Sequence, residues 1–85
     1  VAEAVGTFVL VLSILVSGGN AIIVGGALAL IIFIIGAVSG GHVNPAVSLA
    51  MVLGGSLTGA EMIGYVLSQL AGGAGAAWLF RALAR

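Results

Sequence analysis

The sequence predicts an all-α membrane protein, and three observations carry that prediction. Of its 85 residues, 62% are hydrophobic and only 5% are charged, too little polar side chain to cover the surface of a soluble globule. The apolar residues run on for helix lengths between short glycine turns, with no alternation of polar and apolar positions. Finally, Ser39-Gly40-Gly41-His42-Val43-Asn44-Pro45 sets a polar break and a fresh helix start inside this apolar chain.

The first span is expected over about residues 1–17, near the lower limit for crossing a bilayer. It lacks a preceding basic region and outruns the apolar core of a signal peptide, so it reads as a span rather than a cleaved leader. A start at Val1 instead of Met points to a few missing residues. Glu3 is the costly residue here: an intramembrane carboxylate is a functional-site candidate, while one near a helix start also complements the dipole at the interface. Thr7, one turn on, is expected to bond back to the Glu3 carbonyl. Ser17-Gly18-Gly19-Asn20 reads as a compact turn with Asn20 capping the next helix.

The second span is expected over about 21–38, apolar all round. Gly25, Gly26, Ala29 and Gly36 leave room for neighbouring backbones. Then comes the polar break. Asn44 followed by Pro45 is an N-cap before a proline at the first helical position, where the missing N–H costs nothing. The new helix can run only to about Leu53 before Gly54-Gly55 stops it, a length of about 13 Å against a hydrocarbon core of about 30 Å. The segment 39–53 must therefore dip into the membrane and return, and its non-helical part must be buried in protein or line a wet cavity.

Thr58-Gly59-Ala60-Glu61 is a capping box that opens the third span, over about 59–80, and gives Glu61 a structural role. Along this span Ala60, Gly64, Ser68, Gly72 and Ala76 recur every four residues, a ridge of small residues that predicts close helix packing. Gln69 lies beside the ridge near mid-span, where an unpaired amide is costly. Trp78, Arg81 and Arg85 form an aromatic and basic interfacial end.

Gly-Gly-His-Val-Asn-Pro-Ala-Val-Ser, residues 40–48, resembles the Asn-Pro-Ala loop of the aquaporin (major intrinsic protein) family, in its aquaglyceroporin-like form. Ala2-Glu3-Ala4-Val5-Gly6-Thr7 resembles the start of that family's first helix, and Tyr65-Val66-Leu67-Ser68-Gln69-Leu70-Ala71-Gly72 resembles its third. The resemblance spans essentially the whole chain but only half a family member, since aquaporins carry two inverted halves, each with its own Asn-Pro-Ala half-helix. It implies three transmembrane helices plus one re-entrant half-helix, half of an aquaporin-like fold, completed by an inverted second copy. It implies a pore path along Gly40, Gly41, His42, Val43, Asn44, Pro45 and Ala46, with loop carbonyls turned to the pore. It also implies that Glu3 and Gln69 support the loop by hydrogen bonds. In water-selective members the narrowest point has an aromatic on the second helix and an arginine after the second Asn-Pro-Ala. Those positions fall here on Val24 and Val47, so a self-paired chain lacks a filter arginine.

The leading functional expectation is a passive channel for water and small neutral solutes such as glycerol. It is formed by antiparallel homodimerisation, with a possible higher assembly of such pairs, in an integral multi-pass membrane protein of dual topology. A helix N-terminus aimed at mid-membrane carries about half a positive charge and repels cations, while Asn44 offers an amide donor to a passing water. The runner-up readings are a non-conducting assembly module and a fragment of a full-length aquaporin. No enzyme is expected, because no nucleophile–base set, paired carboxylates or phosphate loop is present. His42 stands alone as a metal-ligating or proton-carrying candidate, and the favoured reading is that it props the loop. No metal or other cofactor is expected, absent cysteines exclude thiol chemistry, and zero net charge with two arginines argues against nucleic acid.

Overall fold

The computed structural model describes residues 1–84; Arg85, read as part of the basic end, lies outside them. The described chain has four α-helices and no strand: α1 (Ala2–Ser17), α2 (Ala21–Ser39), α3 (Pro45–Leu53) and α4 (Gly59–Leu83). Two of them, α2 and α4, are long and apolar enough to cross a membrane, whereas α1 has 16 residues.

Local chemistry sets each boundary. Gly18 and Gly19 close α1 with φ of 65° and 81°, left-handed values that other residues rarely adopt. Asn20 Oδ1 then accepts from the N–H groups of Ile22 and Ile23 at 3.0 and 3.1 Å, and α2 begins. Asn44 Oδ1 accepts from Ala46 N–H at 2.8 Å, with Pro45 as the first residue of α3. At α4 the capping box is reciprocal: Glu61 N–H donates to Thr58 Oγ1 and Thr58 N–H donates to Glu61 Oε1. The last helix outruns its expected end by three residues, because nothing between Phe80 and Leu83 breaks it.

Helix α1 lies between α2 and α4, packing on both, and α3 packs on α4. The closest approach is at Gly72, where a Cβ would lie 2.9 and 3.1 Å from the carbonyl carbon and Cα of Ala4. Only glycine lets the two backbones meet there, and Ala76 one turn on is fully buried. Gly64, expected in the same ridge, meets nothing within 4 Å. The reason is length: below the Ala4–Gly72 crossing α1 has two more residues, whereas α4 extends thirteen residues further, to Gly59. Gly64 and Ser68 instead line an open cleft beside Glu3 and Tyr65. Gly25 and Gly26 likewise face open space, so α2 turns them away from the rest of the chain.

Most large apolar side chains point outward: Ile22, Leu30, Phe33, Val38, Leu67 and Trp78 are all exposed, while the buried set includes Glu3, Thr7, Ser48 and Gln69. Water would favour the reverse. A polar interior with an apolar exterior is the arrangement that a lipid surround rewards, since buried polar groups there must find one another.

Candidate functional site

The polar interior is built around one carboxylate. Glu3, 4% exposed on the first turn of α1, accepts hydrogen bonds at both oxygens. Oε2 accepts from Ser39 Oγ at 2.5 Å and from His42 N–H at 3.2 Å, and Oε1 accepts from Val43 N–H at 2.8 Å and Gln69 Nε2 at 2.9 Å. Four donors fill the four lone-pair sites of a carboxylate. Hydrogen bonds to a charged group contribute about 1.5–3 kcal/mol each, which is how a carboxylate with no ion pair among the described residues is held in the interior.

This grip dictates where the loop carbonyls point. In a planar trans peptide the N–H and the preceding C=O are opposed. Holding the His42 and Val43 N–H groups against Glu3 therefore turns the carbonyls of Gly41 and His42 to the opposite side of the loop. The chain achieves that shape with φ of 88° at Gly40, 63° at Gly41 and 44° at Val43. Val43 is a β-branched residue in left-handed conformation, a strain on the order of 1–3 kcal/mol that its surroundings must hold.

A second set of bonds ties the loop to α3 and α4. Gln69 Nε2 also donates to Ser48 Oγ at 2.9 Å, so both amide hydrogens are used. Ser48 Oγ also shares a hydrogen bond with His42 Nδ1 at 3.0 Å. The use of both amide hydrogens explains why Gln69 Oε1 is buried without a partner: the flipped amide would set that oxygen against the Glu3 carboxylate. Tyr65 stacks on the His42 ring, with centroids 4.6 Å apart, and its hydroxyl donates to the Ser39 carbonyl at 2.6 Å.

Each residue expected at the site has a definite place. Glu3 and Gln69 meet the loop, and His42 bonds to Ser48. Asn44, Pro45 and Ala46 are exposed at the start of α3, and Val47 is half-buried one residue on. Asn44 is bonded within the chain at Oδ1, and among the described residues its Nδ2 donates to nothing. Val24 lies one turn into α2, fifteen residues from Ser39 and so about 22 Å along the helix from the loop. Beside Asn44 and Pro45 runs an open groove of about 560 Å³, lined by Thr7, Val43, Gln69 and Gly73 among others. One expectation fails outright. Thr7 Oγ1 makes no hydrogen bond to the Glu3 carbonyl or any other group, because its Cγ2 methyl is turned to the α4 backbone, 3.8 Å from where a Gly73 Cβ would be.

Ser39, Ser48 and Tyr65 were not assigned roles from sequence. Ser48 had a signal: it is the one polar side chain in the nine residues of α3 and lies one turn after the cap. Ser39 and Tyr65 had none, since their partners are backbone and side-chain groups brought together by packing. Among the described residues no three His, Cys, Asp or Glu side chains cluster as a metal site would require.

Known proteins resemble this chain in sequence. The chain is 40% identical to the aquaglyceroporin AqpS of Rhizobium meliloti over 87 aligned residues, covering 85% of the chain and 37% of that protein. It is 37% identical to glycerol uptake facilitator protein-like 6 of Lactiplantibacillus plantarum, covering 84% and 37%. It is 57% identical to aquaporin-8 of Rattus norvegicus over 47 residues, 55% of the chain. The chain thus spans little more than a third of the length of the first two relatives. No solved structure gives a significant match. The family profile described as major intrinsic protein matches residues 1–85, and with the whole chain covered, this protein belongs to the major intrinsic protein family.

Proposed function

We propose that the chain is one half of a passive channel for water and small neutral solutes, glycerol among them, completed by a second copy in inverted orientation. Channels of this family pass water and small solutes in the lipid bilayer. Three spans, α1, α2 and α4, and the re-entrant segment 39–53 make the half.

The observation that carries the reading is the anchoring of the loop at mid-length of α4. Gln69 is ten residues, about 15 Å, into a helix of about 37 Å, and it bonds to Ser48 in α3 and to the carboxylate that holds His42 and Val43. The start of α3 is thereby held beside the middle stretch of α4, with Asn44 exposed. A helix N-terminus at that depth favours a neutral solute's oxygen over a cation. Carbonyls of Gly41 and His42, facing away from Glu3, supply acceptors on the approach. An inverted partner would bring a second half-helix end to the first and close a path through the bilayer about a two-fold axis in the membrane plane.

The test is stopped-flow shrinkage of proteoliposomes at known protein density. Osmotic permeability above that of empty vesicles, abolished when α3 is deleted, is expected; permeability at the lipid baseline refutes the channel. The coverage of only 37% of the first two relatives supports a second source for the missing half, a different three-helix unit. In that case the chain conducts only when co-reconstituted with such a unit.

A further inference from the structure

We infer that Gly6 is a positioning residue for the channel: its absent side chain is the notch that seats strained Val43, and this seating sets where the pore-facing loop carbonyls stand. The inference rests on the channel reading above and names what controls the geometry of that site.

A Cβ at Gly6 would lie 2.8 Å from Val43 Cγ1, 2.8 Å from Ile35 Cδ1 and 3.1 Å from Ile31 Cγ2. These neighbours differ in how they can yield. Ile35 Cδ1 is the free end of a flexible side chain on a half-buried residue of α2, and a small χ2 change moves it. Val43 Cγ1 has no such freedom. It is attached directly to Cβ, the residue is 4% exposed, and its backbone is already held at φ 44°. Ile31 Cγ2 is as firmly fixed on its Cβ, on a residue 5% exposed, but stands at 3.1 rather than 2.8 Å, so an added methyl at Gly6 presses first on the loop.

Pressure from α1 drives the loop away from that helix, and that motion pulls Val43 N–H off Glu3 Oε1, now 2.8 Å away. Glu3 and Gly6 are three residues apart on α1 and share a face of the helix. The carboxylate draws the loop in, and the notch fixes how close it comes. The same peptide unit carries the His42 carbonyl, and the next residue is Asn44, the cap of α3. Displacing Val43 thus moves a carbonyl and the amide donor together.

The experiment compares wild type, Gly6→Ala, Val43→Ala and the double variant Gly6→Ala/Val43→Ala. Two measurements are made on each in the same membrane: osmotic permeability, and hydrogen exchange at the His42 and Val43 amides. Gly6→Ala should lower water permeability about fivefold or more and speed exchange of both amides by a similar factor, the scale of a modest overpacking cost. The double variant, lacking the Cγ atoms that the new methyl would strike, should return both readouts to within about twofold of Val43→Ala alone. Wild-type exchange in Gly6→Ala overturns the inference. So does a double variant as impaired or as poorly folded as the single, since the conflict then lies with Ile31 and Ile35 and concerns only α1–α2 packing. If wild type proves impermeable while the exchange pattern appears as described, the notch stands and the channel reading falls.

Discussion

Replacing Glu3 by Gln shows why a charged side chain sits in an apolar chain. The amide keeps one acceptor oxygen and presents its NH2 to donors that it cannot accept, so at least one of the His42 N–H, Val43 N–H and Gln69 Nε2 groups loses its partner. A buried donor left unpaired costs about 1–3 kcal/mol. Glu3→Gln should lower stability by about 2–4 kcal/mol in detergent unfolding while leaving α2 intact by circular dichroism; an unchanged midpoint would show that the loop is held by other means. Val47 bears on selectivity in the proposed inverted pair. With valine at 24 and 47 in both copies, such a pair would have a constriction wider and less polar than one carrying an arginine, so glycerol should pass as well as water with little ion leak. Val47→Arg narrows the path and adds donors, and should depress glycerol flux more than water flux in paired swelling assays. Wild type that conducts water but excludes glycerol would put the filter elsewhere.

Pairing of helices concentrates at one crossing, not along the full ridge of small residues. A methyl on Gly72 collides with the Ala4 backbone, which cannot rotate aside, whereas a methyl on Gly64 meets open space. Gly72→Ala should therefore destabilise by about 1–3 kcal/mol or more, and Gly64→Ala should be neutral or stabilise by up to about 1 kcal/mol through helix propensity. Equal behaviour of the two in thermal or detergent unfolding would contradict the crossing. The contrast also marks how far the sequence speaks at this scale. Asn20, Asn44-Pro45 and Thr58-Glu61 announce helix starts because capping is a contact between residues two or three apart. The four-residue spacing from Ala60 to Ala76 marks a face but carries no information on where another helix crosses it or how soon that helix ends. Thr7 was misread for a related reason. Its local option, a bond to the i−4 carbonyl, lost to a tertiary contact of its methyl with α4.

For the molecule as a whole, the proposed three spans would put the two ends of this sequence on opposite sides of the membrane, with Arg81 and Arg85 as its only lysine or arginine residues. So weak a positive bias should permit both insertions, which an inverted pair requires. Reporters fused to the C-terminus should give signal from both sides of the membrane; signal from one side alone favours a partner half of different sequence. The buried network shows the same division of legibility at full size. The Asn-Pro-Ala motif, the intramembrane Glu3 and mid-span Gln69 each stand out in the sequence because each is costly without a partner. The linkage of Gln69 through Ser48 to His42 depends on side-chain directions that only the packed structure fixes.

Glu3 and Gln69 stand 66 residues apart, on the first and last helices. During synthesis α1 already offers Glu3 to the His42 and Val43 N–H groups, but α3 still lacks the Gln69 amide and the helix that it packs on. The seating of α3 is therefore expected to follow the arrival of α4, which ties Ser48 and Glu3 together through one amide group.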